Sequence, residues 1–290
     1  MLDEPSPVEL YCAAQVRAID NQAIRVLGCE GYDLMCTAAA GAFRDLRRHW
    51  PQAVRLLVLC GPGNNGGDGF VLARLAAAAG HHVRLCALSP GEALQGDART
   101  AHEQMLEQGG VQMADWHDDL PEQHDVVVDA LFGTGLRRAL QGTAARMVDA
   151  VNRARAGAGE APASPVGVLA LDIPSGLCAD TGQPLGPTVV ADVTSTFVAL
   201  KRGLFTGRAR DHVGRLCFHG LDVPVEAARE QAVQARLLRA ESVRGLLPRR
   251  AASAHKGRFG HVLALGGNHG YAGAVRLCAE AALRAGAGLV

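Results

Sequence analysis

The sequence has almost no lysine: of its 29 lysine and arginine residues, only Lys201 and Lys256 are lysines. The net charge is zero and the pI is about 7.2, so no overall field attracts nucleic acid or an anionic membrane. No apolar run reaches the ~18 residues of a membrane-spanning helix. The N-terminus is acidic and rich in proline, unlike a secretory signal. We therefore expect a cytoplasmic protein with neither a nucleic-acid nor a membrane partner.

The sequence also lacks the spacings of a zinc or redox site. Its eight cysteines form no C-x-x-C pair and no cluster with histidine. Cys60 and Cys86 lie in apolar runs, which favours buried reduced thiols over a functional pair. His81 and His82 are expected to lie at the solvent-exposed start of a strand rather than to form a metal site. The two lysines are either compositional accidents or sites that need a compact ammonium.

The body of the chain alternates between apolar strands and helical segments. This pattern predicts a mainly parallel sheet with helices on both faces, and ligands beyond the carboxyl ends of its strands. Strands are predicted at 54–60, 82–88, 111–114, 125–131, 166–171, 191–198 and 214–218. Helices are predicted at 8–27 (ending at Gly28), from Asp33 as cap to 48, and at 67–79, 97–108 and 143–155, with an amphipathic region at 225–247.

Three glycine turns that carry a carboxylate follow predicted strands. The first, GPGNNGGDG at 61–69, precedes a helix, where backbone N–H groups favour an anion such as phosphate. It is neither GxGxxG nor GxxxxGK[ST], and its extra amides and carboxylate suggest more than a phosphate cradle. The turns at 126–137 and 169–177 contain Asp129 and Asp172, which either bind a ligand or only cap local turns.

These strand ends supply two candidate sets of functional residues. Asn65, Asp129 and Ser175 offer hard oxygen ligands, which suit an alkali or alkaline-earth cation better than zinc. Asp172 and Lys201 could form an acid/base pair. The paired arginines at 137–138 face a ligand phosphate or form a solvated corner.

The four motifs GPGNNGGDGFVLAR (61–74), VVVDALFGTGL (126–136), LDIPSGLCADTG (171–182) and ADVTSTFVALKRGL (191–204) resemble the NAD(P)H-hydrate epimerase family, also called YjeF N-terminal domains. QVRAIDNQAI (15–24) and LMCTAA (34–39) match as well. The resemblance implies a Rossmann-like three-layer αβα fold and a homodimer. It also implies epimerisation of the R and S forms of hydrated NADH and NADPH (NADHX and NADPHX), in which the hydroxyl at C6 of the reduced ring changes face.

The same resemblance implies site residues. Substrate contacts fall on the residues of two turns together with Asp172: Asn64, Asn65, Gly66, Gly67, Asp68, Gly133, Thr134, Gly135, Leu136, Arg137, Arg138 and Ala139. One potassium ion (K+) would be held by Asn65, Asp129 and Ser175. Asp172 would move the hydroxyl proton, and Lys201 would support it electrostatically. A non-catalytic scaffold is the alternative; a nicotinamide-dependent dehydrogenase is disfavoured because the first turn lacks GxGxxG.

The last part of the chain resembles the start of an ADP-dependent NAD(P)H-hydrate dehydratase domain. The matching residues run from His255 to Gly267, from Tyr271 to Ala274 and from Ala285 to Val290, and after Lys256 they predict one strand, one helix and the opening of the next strand. The resemblance implies an incomplete ribokinase-like segment, with Ala274 among its substrate contacts and with ADP or ATP bound only by a complete domain. We therefore expect an epimerase domain at 1–248 and a truncated dehydratase segment at 249–290 that packs poorly from about residue 251.

Overall fold

The computed structural model describes residues 8–28, 30–157, 165–240, 242 and 249–290. The chain divides into two compact units, Met1–Leu237 and Leu238–Val290. This division falls earlier than the boundary expected after residue 248, and the domain assignment itself stays a prediction. Within the described ranges, no helix is both long and apolar enough to cross a membrane.

The first unit is built around a seven-stranded sheet in which all neighbouring strands are parallel. Its spatial order is β4-β3-β2-β5-β6-β7-β8. The strands are β2 (Arg55–Cys60), β3 (His82–Ala87), β4 (Val111–Met113), β5 (Val126–Ala130), β6 (Gly167–Leu171), β7 (Val193–Phe197) and β8 (Arg215–His219). The chain leaves β2 toward one edge and returns to β5 on the other side. The strand order therefore reverses between β2 and β5, where such sheets bind ligands.

Helices cover both faces of this sheet, as the alternation predicts. The helices of this unit are α1 (Ala13–Leu27), α2 (Gly31–His49), α3 (Asn64–Ala78), α4 (Gly96–Gln108), α5 (Gly142–Arg155) and the short α6 (Val225–Arg229). Alternate residues of β2 face opposite layers: Val58 packs with α2, α3 and α4, whereas Leu59 packs with α5. The Rossmann-like three-layer fold is confirmed.

Three segments differ from the sequence-based expectation. The stretch at 8–27 is not one helix, because Val8–Leu10 forms β1, which pairs antiparallel with β9 (Ala235–Leu237). The region at 225–247 holds α6 and β9, and residues 241 and 243–248 lie outside the described part. The second helix begins at Gly31 with Glu30 as N-cap, and Asp33 at the third helical position completes a capping box. Pairing with a distant partner and reciprocal capping explain these differences.

Smaller expectations are confirmed. Gly28 ends α1 in the left-handed conformation (φ 63°), where glycine has no Cβ penalty. Cys60 and Cys86 are buried free thiols. His82 is exposed and begins β3.

Among the described residues of the second unit, the one regular helix is α7 (Gly273–Ala285). The strand expected after Lys256 is absent: 261–266 carries only a single bridge from His261 to Leu289. A strand needs neighbouring strands to satisfy its backbone. No residue of α7 is buried, and Leu263 and Leu265 are 81% and 85% exposed. The poor packing expected from about residue 251 fits this exposure.

Candidate functional site

A cleft of about 700 Å³ opens at the point where the strand order reverses. Segments that follow β2, β5, β6 and β7 line it, and α1 forms a further wall. Because carboxyl ends of parallel strands meet at one edge, the motifs predicted from separate parts of the sequence lie together here.

The glycine-rich segment after β2 is the first turn of α3, not a loop before it. The helix was expected from residue 67 but begins at Asn64, and its first intrahelical bond runs from Gly67 N–H to Gly63 O (3.1 Å). The N–H groups of 64–66 therefore lack an intrahelical acceptor and can face an anion. A Cβ at Gly66 would lie 2.0 Å from the oxygen of Gly61, so this turn requires glycine for close backbone approach.

Asn65 lies beside the turn that follows β5. A Cβ at Gly133 would be 3.4 Å from the Cβ of Asn65 and 3.0 Å from Oδ2 of Asp172, which places three segments around one glycine. Both side-chain polar atoms of Asn65 are buried, and neither has a hydrogen-bond partner in the described part of the chain. A buried amide without partners costs free energy, which makes it a candidate ligand.

Asp129 and Ser175 are fully buried and join the turns after β5 and β6. The Ser175 hydroxyl donates to Oδ1 of Asp129 (2.7 Å), and the Ser175 N–H donates to Oδ2 (2.8 Å). The Leu131 N–H donates to Oδ1 (3.2 Å), so Asp129 does cap a local turn. Burial raises the pKa of Asp129 to about 6, although these hydrogen bonds act in the opposite direction. No cation of the described chain pairs with this carboxylate.

Asp172 and Lys201 form an ion pair at the ends of β6 and β7. Lys201 is 1% exposed, and its ammonium also donates to Thr196 Oγ1 (3.0 Å) and Phe197 O (2.7 Å). Asp172 Oδ2 accepts the N–H of Thr134 (3.3 Å). The pair predicted from the sequence is therefore assembled, and both side chains line the cleft.

Two strained turns hold this pair. Asp172 has φ 63° and Val198 has φ 67°, both in the left-handed region. Each is the centre of a three-residue turn, closed by Ile173 N–H to Leu171 O (2.8 Å) and by Ala199 N–H to Phe197 O (2.7 Å). Such conformations cost about 1–3 kcal/mol each and persist where surrounding structure imposes them, often at functional sites.

The structure brings most of the predicted residues together. The residues that line the cleft are Asn64, Asn65, Asp68, Gly133, Thr134, Gly135, Leu136, Arg137, Arg138, Asp172 and Lys201. Gly66 and Gly67 lie buried behind it, and Asp129 and Ser175 are fully buried. Arg137, Arg138 and Ala139 are all exposed, but only the two arginines line the cleft. Ala274 lies in the first turn of α7, in the second unit, and is exposed.

Sequence reasoning missed the contribution of α1. Arg17 and Asp20 line the cleft, and the guanidinium of Arg17 donates to Thr134 O (3.3 Å). Both lie in the QVRAIDNQAI motif, to which the sequence analysis assigns no functional residue. Their spacing of three residues on a helix that carries an apolar face was the available signal.

The fold and these motifs match a known family. A family model described as YjeF-related protein N-terminus matches residues 31–203, which include the turns after β2, β5 and β6 and the ion pair. The chain belongs to the YjeF-related protein N-terminus family. The crystal structure of yeast ynu0 has the same fold, with a TM-score of 0.62 at 19% identity, covering 77% of this chain and 93% of the yeast chain.

Curated relatives extend the similarity beyond the family model. The chain is 43% identical over 287 residues to the "bifunctional NAD(P)H-hydrate repair enzyme Nnr" of Escherichia coli (strain K12), which covers 98% of this chain and 53% of that protein. It is 41% identical over 281 residues to the protein of the same name from Coxiella burnetii, at 97% and 55% coverage. A "bifunctional NAD(P)H-hydrate repair enzyme" of Leishmania braziliensis is 38% identical over 271 residues, at 90% and 44%. The chain spans about half the length of these relatives.

Proposed function

We propose that this chain takes part in repair of hydrated nicotinamide nucleotides, by interconverting the R and S forms of NADHX and NADPHX. The single observation that carries the proposal is the buried Asp172–Lys201 ion pair on the cleft that the YjeF-related motifs surround. The names of the curated relatives support the class of substrate.

The cleft suits a dinucleotide with charged and apolar parts. The free N–H groups at the start of α3 can bind a diphosphate, and the exposed Arg137 and Arg138 add positive charge at the cleft. The half-buried Phe132 and Leu136 offer apolar surface to the rings of the substrate. The Asp172 carboxylate, at the centre of its strained turn, can shuttle a proton as the hydroxyl at C6 of the reduced ring changes face.

The proposal includes one potassium ion held by Asn65, Asp129 and Ser175. Support comes from the unpartnered buried amide of Asn65 and from a fully buried Asp129 carboxylate without a cationic partner among the described residues. All three side chains offer hard oxygens, and the described residues contain no group of three or more His, Cys, Asp or Glu that would suit a transition metal. Such a cation would neutralise Asp129 and stabilise the turns that support the cleft.

The test is an assay of interconversion with separated R and S hydrates, with and without potassium. Wild type should equilibrate the two forms, and Asp172→Asn should slow this by about 10²–10⁴-fold, the usual worth of a positioned acid or base. Asn65→Leu should remove the potassium response, while Asn64→Ala, at an exposed neighbouring position, should retain it. Wild type that binds the hydrates without interconverting them would contradict the epimerase and favour a non-catalytic scaffold.

The second unit belongs to the proposal only as the start of a dehydratase segment. Among the described residues of this unit, several apolar side chains are exposed and α7 is the one regular helix, so we expect that these residues alone do not support ADP-dependent dehydration. The homodimer implied by the resemblance is likewise part of the proposal, and sedimentation equilibrium tests it.

A further inference from the structure

Four of the ionisable side chains that line the cleft are unequally partnered. They are Asp20 of α1, Asp68 of α3, Asp172 and Lys201. The ammonium of Lys201 uses its three N–H groups on Asp172, Thr196 and Phe197, so none remains for another carboxylate. Within the described ranges, neither Asp20 nor Asp68 has a side-chain hydrogen bond or an ion pair.

Asp68 lies deep in the cleft. It follows Asn65 by three residues, so it lies on the same face of α3, one turn further from the helix start. Protein atoms surround it, although part of its surface faces the cleft. Its position in the helix is beyond the free N–H groups of the first turn, so the backbone supplies no donor to its carboxylate.

The charges around Asp68 come from several elements. Burial raises the pKa of Asp68 well above its usual value, and the charges of Asp172 and Asp20 raise it further, while Lys201 acts in the opposite direction. Burial raises the pKa of the Cys60 thiol at the end of β2, and the charges of Cys86 and Asp68 raise it further. Burial raises the pKa of Asp20 as well, and Asp97 of α4 adds to this effect. The cleft therefore holds one carboxyl group in an ion pair, that of Asp172, and an unpaired one, that of Asp68, among the described residues.

We propose that Asp68, which lines the cleft without a partner among the described residues, is the proton donor to the hydroxyl of the hydrated ring. This inference rests on the proposed epimerase function. The reasoning is that two carboxyl groups with different environments can divide acid and base work in one site. Asp172, paired with Lys201, is suited to accept a proton, and Asp68 to give one.

The step balances without an oxidant or a reductant. Asp68 gives its proton to the hydroxyl oxygen at C6, the C6–O bond breaks with its electron pair on oxygen, and water leaves. The lone pair of the ring nitrogen forms the C=N bond of an iminium ion. Water then adds to the other face of C6, the C=N electron pair returns to nitrogen, and Asp172 accepts the proton of the added water. The reverse direction uses the two carboxyls in opposite roles, and exchange with solvent restores the starting protonation.

The experiment compares the pH dependence of kcat for wild type, Asp68→Asn, Asp20→Asn and a control, Asp149→Asn, whose carboxylate is exposed on α5. Wild type and the control should lose activity as pH rises through the pKa of Asp68. Asp68→Asn should lower kcat by about 10²–10⁴-fold, and the fall of kcat at alkaline pH (the alkaline limb of the profile) should disappear. Its affinity for the hydrates, measured by calorimetry, should stay within a few fold of wild type. Asp20→Asn should retain activity at acid pH, with the limb moved to lower pH because a negative neighbour is gone.

Infrared difference spectroscopy supplies a readout that does not depend on activity or on folding of the Asp68 variant. The band of a protonated carboxylic acid should persist in wild type above the pH at which a free aspartate ionises, and should disappear at lower pH in Asp20→Asn than in wild type. Wild-type kcat in folded Asp68→Asn, an unmoved limb in Asp20→Asn, or no such band in wild type would overturn the inference. A wild type without interconversion would instead refute the epimerase proposal itself.

Discussion

Breaking the buried ion pair between Asp172 and Lys201 should destabilise the first unit strongly. Lys201→Met keeps the length of the side chain but leaves a carboxylate that is only 15% exposed without its cation. Removing one partner of a buried pair typically costs about 3–5 kcal/mol. Asp172→Asn tests the other partner without new backbone strain, because asparagine tolerates the positive φ at this position as aspartate does.

The two substitutions should not be additive. Once either partner is absent, the other has already lost its counter-charge, so the double variant should cost less than the sum of the single variants by about 0.5–3 kcal/mol. Urea unfolding followed by circular dichroism gives the free energies, with the transition of the larger unit fitted separately because two units need not unfold together. A cost below ~1 kcal/mol for Lys201→Met, or strict additivity, would refute the reasoning, since exposed pairs behave in that way.

Three further predictions concern the surroundings of the site. Because burial raises the pKa of Asp129 to about 6, the free energy of unfolding in potassium-free buffer should fall by about 3 kcal/mol as pH rises from ~4 to above ~6. Asp129→Asn should lose this dependence when urea unfolding is measured at several pH values. Gly66→Ala should lower Tm clearly, because its Cβ would meet a carbonyl oxygen at 2.0 Å, whereas Gly63→Ala, with nothing within 4 Å, should change it little. Burial acts to raise the pKa of Asp45, but the hydrogen bond with His219 (2.6 Å) lowers it overall. The free energy of unfolding should therefore decline as pH falls below ~4. Equal acid stability of Asp45→Asn and wild type would contradict this.

The sheet could be predicted because its signals are local. Each buried strand is a short apolar run followed by a turn, and the observed bounds of β2 and β5 differ from the expected ones by one residue at most at each end. The start of α3 was predicted less well: the glycine-rich pattern at 61–69 predicted a turn before a helix at 67, whereas the helix begins at Asn64 and packs Gly66 closely against the carbonyl of Gly61. β1 could not be predicted, since three residues acquire strand geometry only by pairing with β9, far along the chain.

The identity of the site residues could be predicted, but their partnerships could not. Asp172 and Lys201 carry signals in the sequence, namely a carboxylate at a strand end and a rare lysine. That Asn65 lacks a partner, and that Asp68 and Asp20 face the cleft unpaired, depends on the three-dimensional arrangement of α1 and α3. The second unit shows the same limit, because an apolar pattern predicts a strand only where another strand can satisfy its backbone.

The structure explains why one of the two lysines, Lys201, is a lysine rather than an arginine. The ammonium of Lys201 meets three acceptors that converge from a carboxylate, a hydroxyl and a carbonyl, in a space that is 1% exposed. Three rotatable N–H donors on one nitrogen suit such a pocket, whereas the planar fork of arginine would need acceptors in one plane and more room. Lys256, by contrast, is exposed in a short 3₁₀ turn of the second unit, where no such constraint acts on it. Lys201→Arg should therefore resemble Lys201→Met more than wild type, which separates the need for a compact ammonium from the need for charge alone.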